Sequence, residues 1–264
     1  MVRVTDHFLG CIAFICVEDP GQNRPEPRGT AFAVSVSDSD RPDVAHCYLI
    51  TARHNLELAQ TDRIFVRVNT EGGFRDILTD RSQWQKHDSA DVACLLFGGE
   101  QLEQIPLSYF VGADFPYYFR FSENGANFPV RVGTELFFVG LFVQQPGGGR
   151  NLPIARFGHV SRMPTEPISQ SFCDGAYSFK QVAYLAECRS WGGHSGSPAF
   201  CIFHRTHEGA PLQYIGFLGL VSGHYDIPTA VKSRNTEERF MAELNSGIAI
   251  VTPAESVREL LVQR

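Results

Sequence analysis

The sequence predicts an all-β protein, and three observations carry that prediction. Eleven short segments are rich in Val, Ile, Phe and Tyr. They are separated by Gly, Pro, Asp and Asn, and helical periodicity is scarce before the C-terminus. Many short strands at such spacing build a sandwich or a barrel. Hydrophobic residues make up 43% and charged residues 20% of the 264, a composition that buries a core and argues against disorder.

The elements follow in order. Leu9–Glu18 is the first strand. Its apolar run, Phe8–Val17, has the look of an export-signal core, but Asp6 and a single Arg precede it and no small-x-small cleavage site follows. It is also too short to span a bilayer, so a buried strand and no membrane segment are expected. Thr30–Val36, Ala45–Thr51, Arg63–Asn69 and Asp91–Phe97 complete a first group of strands. Glu135–Phe142, Ile154–Met163, Gln181–Cys188, Ser197–Phe203, Tyr214–Val221 and Gly247–Val251 form a second. Between them, about 98–132 is weakly patterned and reads as an inter-domain connection, although Phe115, Tyr117, Tyr118, Phe119 and Phe121 favour packing over free solution. The glycines of Pro146-Gly147-Gly148-Gly149-Arg150 lack the Lys-Ser/Thr of a phosphate loop and read as a hairpin loop. Thr236–Leu244 is a weak helix candidate. Thr252-Pro253-Ala254-Glu255 reads as a capping box with proline in the first turn of a C-terminal helix, whose apolar face is Val257, Leu260 and Leu261.

Charge and cysteine content narrow the function classes. The net charge is -6, from 23 Lys+Arg against 29 Asp+Glu, and no basic cluster is present. Phosphate neutralisation needs such a cluster, so no nucleic-acid partner is expected. Seven cysteines, an odd number and mostly inside apolar runs, suit buried free thiols in a reducing compartment, with the cytoplasm as the expected location.

Chemistry concentrates in Gly192-Gly193-His194-Ser195-Gly196-Ser197-Pro198. A serine hydroxyl becomes a nucleophile only at an exposed turn beside a base. Flanking glycines permit unusual backbone angles and close approach of a carbonyl, and successive N–H groups there can converge on an oxyanion. A plain Gly/Ser turn between strands has the same composition, so the heptad needs partners.

Those partners are present. The heptad resembles the nucleophile loop of trypsin-like (chymotrypsin-fold) serine proteases. Ile50-Thr51-Ala52-Arg53-His54 is similar to the family's strand end carrying the catalytic His. Asp91-Val92-Ala93-Cys94-Leu95-Leu96 is similar to the segment opening with the catalytic Asp. The order His, Asp, Ser is this family's order, with separations of 37 and 104 residues. Arg156-Phe157-Gly158-His159-Val160-Ser161, Gly219-Leu220-Val221-Ser222-Gly223, Gly247-Ile248-Ala249-Ile250 and the terminal helix extend the resemblance over nearly the whole chain.

The resemblance implies two antiparallel six-stranded β-barrels with a C-terminal α-helix. Residues 1–110 would carry His54 and Asp91, and residues 111–264 would carry Ser195 and the helix. It implies an endopeptidase in which His54 is the base, Asp91 orients it and Ser195 attacks, with Gly193 and Ser195 N–H groups as oxyanion hole. Ser222 matches the family's serine that bonds the triad Asp. Asp88, the competing acid, reads as a solvated loop residue. No cofactor or metal is implied. Cys201, His204 and His207 have ligand-like spacing but no fourth ligand nearby, and His46, His87 and His159 read as ordinary histidines.

Departures from the secreted trypsin pattern carry information too. His194 stands where an Asp would pair with a newly cut N-terminus, no Ile-Val-Gly-Gly start is present, and Asn55 and Trp191 occupy positions where family cysteines sit. A disulfide-free branch without zymogen cleavage is expected, either constitutively active or gated by a regulatory protein partner. For the primary pocket, Arg189 and the strand with Ser222, Gly223 and His224 are the substrate-binding candidates. Arg189 and His224 suggest an acidic side chain at the cleavage position. The alternative is an outward Arg189 and a pocket for small or apolar side chains. The other function class is a catalytically silent protease-like module that captures an extended peptide in the cleft.

Overall fold

A computed structural model of the chain describes residues 6–18, 24–37, 45–97, 129–172, 177–207, 210–232 and 239–262, with isolated positions 4, 21, 41 and 175. The chain is all-β. Strands β1 (Ile12–Val17), β2 (Glu26–Ser37), β3 (Ala45–Thr51), β4 (Arg63–Thr70), β5 (Gly73–Asp80), β6 (Gln85–Lys86) and β7 (Ala93–Phe97) form an antiparallel sheet in the order β5-β4-β1-β2-β3-β7-β6. Strands β8 (Glu135–Gly140), β9 (Ile154–Arg162), β12 (Tyr184–Glu187), β13 (Pro198–His207), β14 (Ala210–Lys232) and β15 (Arg239–Pro253) close a six-stranded barrel in the order β12-β15-β14-β13-β8-β9. A separate two-stranded ribbon is made by β10 (Pro167–Phe172) and β11 (Tyr177–Val182). Among the described residues, three α-helices accompany them: α1 (Asp6–Gly10), α2 (His54–Glu57) and α3 (Ala254–Val262).

The alternation of β1 explains how two layers become one body. Ile12, Phe14 and Cys16 face a core shared with the barrel, where Phe137, Val139, Phe200, Ile202, Val257 and Leu260 meet them. Ala13 and Ile15 face the N-terminal sheet's own core, with Leu49, Leu56, Val66 and Trp84. An apolar run with no polar residue is what a strand buried on both faces requires. A third cluster, including Leu136, Phe138, Val160, Cys201 and Val251, fills the barrel. Phe8 of α1 packs edge-on against Phe137 and Phe200, with centroids 5.3 and 4.8 Å away. Each such fully buried large side chain is worth about 1.5–3 kcal/mol relative to exposure.

Several sequence expectations change. The segment Gln181–Cys188 is two strands, because Gln181 and Val182 pair with β10 while Tyr184–Glu187 pair with β9 and β15. The strand expected to open at Asp91 starts at Ala93. The described part of Thr236–Leu244 is strand, since residues 239–244 pair with Ile227–Lys232 of β14, and cross-strand bonding overrides a weak helical pattern. The C-terminal helix begins at Ala254, not in a capping box: Thr252 and Pro253 still belong to β15, and the Thr252 hydroxyl donates to Gln181 Oε1 at 3.0 Å. The glycine patch at 146–150 lies in the loop joining paired strands β8 and β9, as expected. Residues 98–128 of the connection, with the boundary at 110, lie outside the described residues. Among the described residues, no helix is long and apolar enough to cross a membrane.

Candidate active site

The N-terminal sheet supplies an acid and a base. β3 ends at Thr51 and α2 begins at His54, which is 4% exposed. His54 Nδ1 lies 2.6 Å from Asp91 Oδ2, and its backbone N–H donates to Asp91 Oδ1 at 2.9 Å. Asp91 is fully buried, so both of its oxygens are committed to one residue and the imidazole orientation is fixed. The loop carrying Asp91 is built on His87. Its Nδ1 accepts from the N–H groups of Ser89 and Ala90, and its Nε2 faces Glu259 of α3 at 3.0 Å. Asp88 is exposed in that loop.

The ribbon completes the support of Asp91. Gln181 is 2% exposed and satisfied on both sides of its amide. Its Oε1 accepts from Asp91 N–H at 2.9 Å and from the Thr252 hydroxyl at 3.0 Å. Its Nε2 donates to Gln170 Oε1 at 2.6 Å and to Ser222 Oγ at 3.0 Å. Ser222 therefore does not play the part expected for it. Its hydroxyl is taken up by Gln181 and Gln170, and Gln181 stands between Ser222 and the Asp91 backbone.

The barrel supplies the nucleophile loop. Gly193 has φ +97° and Gly196 φ +90°, and a Cβ at Gly196 would fall 2.0 Å from the Thr30 carbonyl, so these two glycines are required. Thr30 of β2 bridges the two layers. Its hydroxyl donates to Gly193 O at 2.7 Å and accepts from Leu141 N–H at 2.9 Å, and its N–H donates to Ser195 O at 2.9 Å. Asn55, next to the base, also donates to Ser195 O, at 2.8 Å. Around the nucleophile, the N–H groups of His194, Gly196 and Ser197 donate to Trp191, Val221 and His194 carbonyls. The N–H groups of Gly193 and Ser195 donate to no group among the described residues, which is what an oxyanion hole keeps in reserve.

His194 holds this loop from within. It is fully buried, and its Nδ1 accepts the Trp191 N–H at 2.9 Å. Burial, with the positive charges of Arg156 and His224 nearby, pushes its pKa down to about 3, so the ring is neutral.

Two cavities meet at Ser195. One, of about 490 Å³, is lined by His54, Asn55, Leu58, Gly193 and Ser195. The other, of about 680 Å³, is lined by Trp191, Gly192, Ser195, Gly223, His224 and Tyr225. Phe172, at the tip of β10, belongs to both and stacks on the His54 imidazole, centroids 4.1 Å apart and planes 20° apart. His54 and Ser195 line the same cavity without a hydrogen bond between them. Of the specificity residues, Gly223 and His224 line the second cavity. Arg189 lines neither. It lies just beyond the end of β12 and is exposed, between buried Cys188 and Ser190.

Other expectations fall as follows. Cys201 is in the barrel core, its thiol pushed up to about 12 by burial, while His204 is exposed and faces Glu135 at 3.2 Å. None of the six described cysteines is in a disulfide, and burial also raises Cys11, Cys16, Cys47 and Cys188 to about 12. Cys173 and the His207 side chain lie outside the described residues. Sequence reasoning missed Thr30, Gln170, Gln181 and Phe172, because β10 carried no readable pattern and a lone Thr or Gln in a strand has none. Asn55 and His194 were visible only as departures from a resemblance.

No family model matches the chain, and no curated protein does. Among solved structures, human heparin binding protein aligns over 98% of this chain and 93% of its own, with TM-score 0.50 and 11% identity. At that identity the likeness speaks to fold alone, and with the two-sheet topology it gives an all-β chain of chymotrypsin-like fold.

Proposed function

We propose that the chain is a serine endopeptidase. The observation that carries this reading is the buried His54–Asp91 pair, bonded at 2.6 Å, opening onto the same cavity as Ser195 and Gly193. Ser195 Oγ attacks the peptide carbonyl carbon while His54 Nε2 takes its proton, and Asp91 stabilises the imidazolium formed. The tetrahedral oxyanion accepts the uncommitted N–H groups of Gly193 and Ser195. Collapse breaks the C–N bond as His54 returns the proton to the leaving amine, and water then releases the acyl group by the reverse sequence. On this reading, residues 1–110 supply acid and base, and residues 111–264 supply nucleophile and substrate pocket. Six described cysteines, none in a disulfide, support a reducing compartment, the cytoplasm, as its place of work.

Acidic preference at the cleavage position loses Arg189 and keeps His224 as support. One observation favours the second reading, a silent module binding an extended segment: Phe172 covers His54, and no bond joins His54 to Ser195. A fluorophosphonate probe with intact-mass readout separates the two. The endopeptidase takes one adduct, and the Ser195→Ala variant takes none. A folded wild-type chain that takes no adduct sinks the first reading.

A further inference from the structure

Three buried polar atoms of the barrel have no hydrogen-bond partner: Arg156 Nε, Ser190 Oγ and His194 Nε2. All three are donors. The Nδ1 of neutral His194 accepts the Trp191 N–H, so the ring hydrogen sits on Nε2. The Arg156 guanidinium carries its charge at any working pH. Ser190 and His194 are 1% and 0% exposed.

The three belong to one neighbourhood. Arg156 of β9 pairs in register with Phe138 of β8, so the two side chains share a face of the sheet. The Phe138 ring meets the His194 imidazole edge-on at 5.1 Å. Ser190 sits four residues before His194 in the same loop, its carbonyl held by Asn245 Nδ2 at 2.6 Å. His224, close enough for its charge to act on His194, lines the cavity that also holds Trp191, Gly192 and Ser195. Ser190 Oγ and His194 Nε2, each able to donate and each without a partner among the described residues, stand with the Arg156 guanidinium behind the wall of the substrate cavity.

An anionic acceptor completes such a cluster, and its position names the source. We propose, resting on the endopeptidase reading, that the residue on the acyl side of the scissile bond is Asp or Glu, its carboxylate received by Arg156, Ser190, His194 and His224. Asp226, 3.5 Å from His224, and Glu243 line the same cavity, so its own charge is mixed and the preference rests on the donors behind its wall.

Peptide anilides identical except for a terminal Glu, Asp, Gln, Leu or Lys test this on the full chain. Glu or Asp should exceed Gln in kcat/KM by about 100-fold, because a carboxylate offers the donors a charge and two accepting oxygens, whereas a carboxamide is neutral, accepts at one oxygen and turns an NH2 donor against them. Arg156→Met should bring the Glu/Gln ratio close to one, and Arg156→Lys should keep part of it. The ratio is the readout, so loss of folded protein cancels. Gln, Leu or Lys cleaved as well as Glu overturns the proposal. So does failure on all five anilides by a chain that takes the fluorophosphonate. A chain that takes no fluorophosphonate fails the endopeptidase reading instead. A free anion in this place would show as a chloride-dependent rise in melting temperature, lost in Arg156→Met, without Glu preference. That pattern also overturns the substrate assignment.

Discussion

Two clusters of buried polar groups beside the cleft are built in opposite ways. Behind Asp91, the Gln181 amide uses its oxygen and its nitrogen, and Thr252, Ser222 and Gln170 all bond to it. Behind the nucleophile loop, Arg156, Ser190 and His194 each leave a buried donor unmet. A closed network fixes a geometry. An open cluster of one polarity stores a demand that a ligand can meet. On the endopeptidase reading, the contrast separates the part of the site that positions from the part that selects.

The sharpest way to break the closed network is at its charge. Asp91→Asn keeps the shape but turns the His54 tautomer, because a carboxamide nitrogen donates where the carboxylate accepted. We expect kcat to fall by about 10⁴-fold with the fold intact, read from steady-state kinetics and circular dichroism. A loss under tenfold would mean that Asp91 is not the orienting acid.

One step out, Gln181→Ala leaves the Asp91 N–H and the Thr252 hydroxyl without an acceptor. The expected loss is about 3 kcal/mol in urea unfolding, at roughly 1–3 kcal/mol for each buried group left unmet. Arg156→Met in the open cluster removes a group that has no acceptor for its Nε. It should change the stability of the unliganded chain by less than about 0.5 kcal/mol, or raise it. Equal losses in the two variants would erase the contrast between the clusters.

This contrast also marks what the sequence made legible. His54, Asp91 and Ser195 sit in motifs with a chemical reason for each neighbour, and β3, Ala45–Thr51, has the predicted bounds. Gln181 and Phe172 gave no such signal, since they act through partners distant along the chain: Asp91 is 90 residues from Gln181. Arg189 lies outside both cavities at Ser195: spacing along the chain does not say which way a side chain just past a strand points. Arg156, 33 residues further back than Arg189, became visible only when β9 was paired with β8. Local chemistry is written locally, whereas support and specificity depend on register.

The pH dependence of folding probes His194 alone. Its pKa is about 3 folded, against an ordinary 6.5. Between these values the unfolded chain binds the proton and the folded chain does not, so this group's contribution is full above about 6.5 and is lost as pH falls toward 3. Moving from pH 7 to about 4.5 should cost about 2–3 kcal/mol through this residue, at about 1.4 kcal/mol per pH unit. The difference between wild type and His194→Asn in urea midpoints at the two pH values isolates it. A constant difference would mean that the ring is accessible to protons in the folded state.

The smallest effect belongs to Phe172, and it tests whether the cleft is gated or walled. With its ring 4.1 Å from the imidazole centroid, no side chain fits between them, and Phe172 lines the cavities on both sides of Ser195. On the endopeptidase reading, a substrate chain seated at Ser195 meets this ring. An aromatic stack of this kind is worth about 0.5–1.5 kcal/mol beyond its buried area, enough to bias the cleft but not to close it. Phe172→Ala should therefore raise, by about fivefold, the kcat/KM ratio of peptides with Leu over Gly one residue before the cleavage residue. An unchanged ratio would mean that the ring swings clear as substrate enters. The covered imidazole would then be a resting posture of the ribbon, while the closed network behind Asp91 still positions the base.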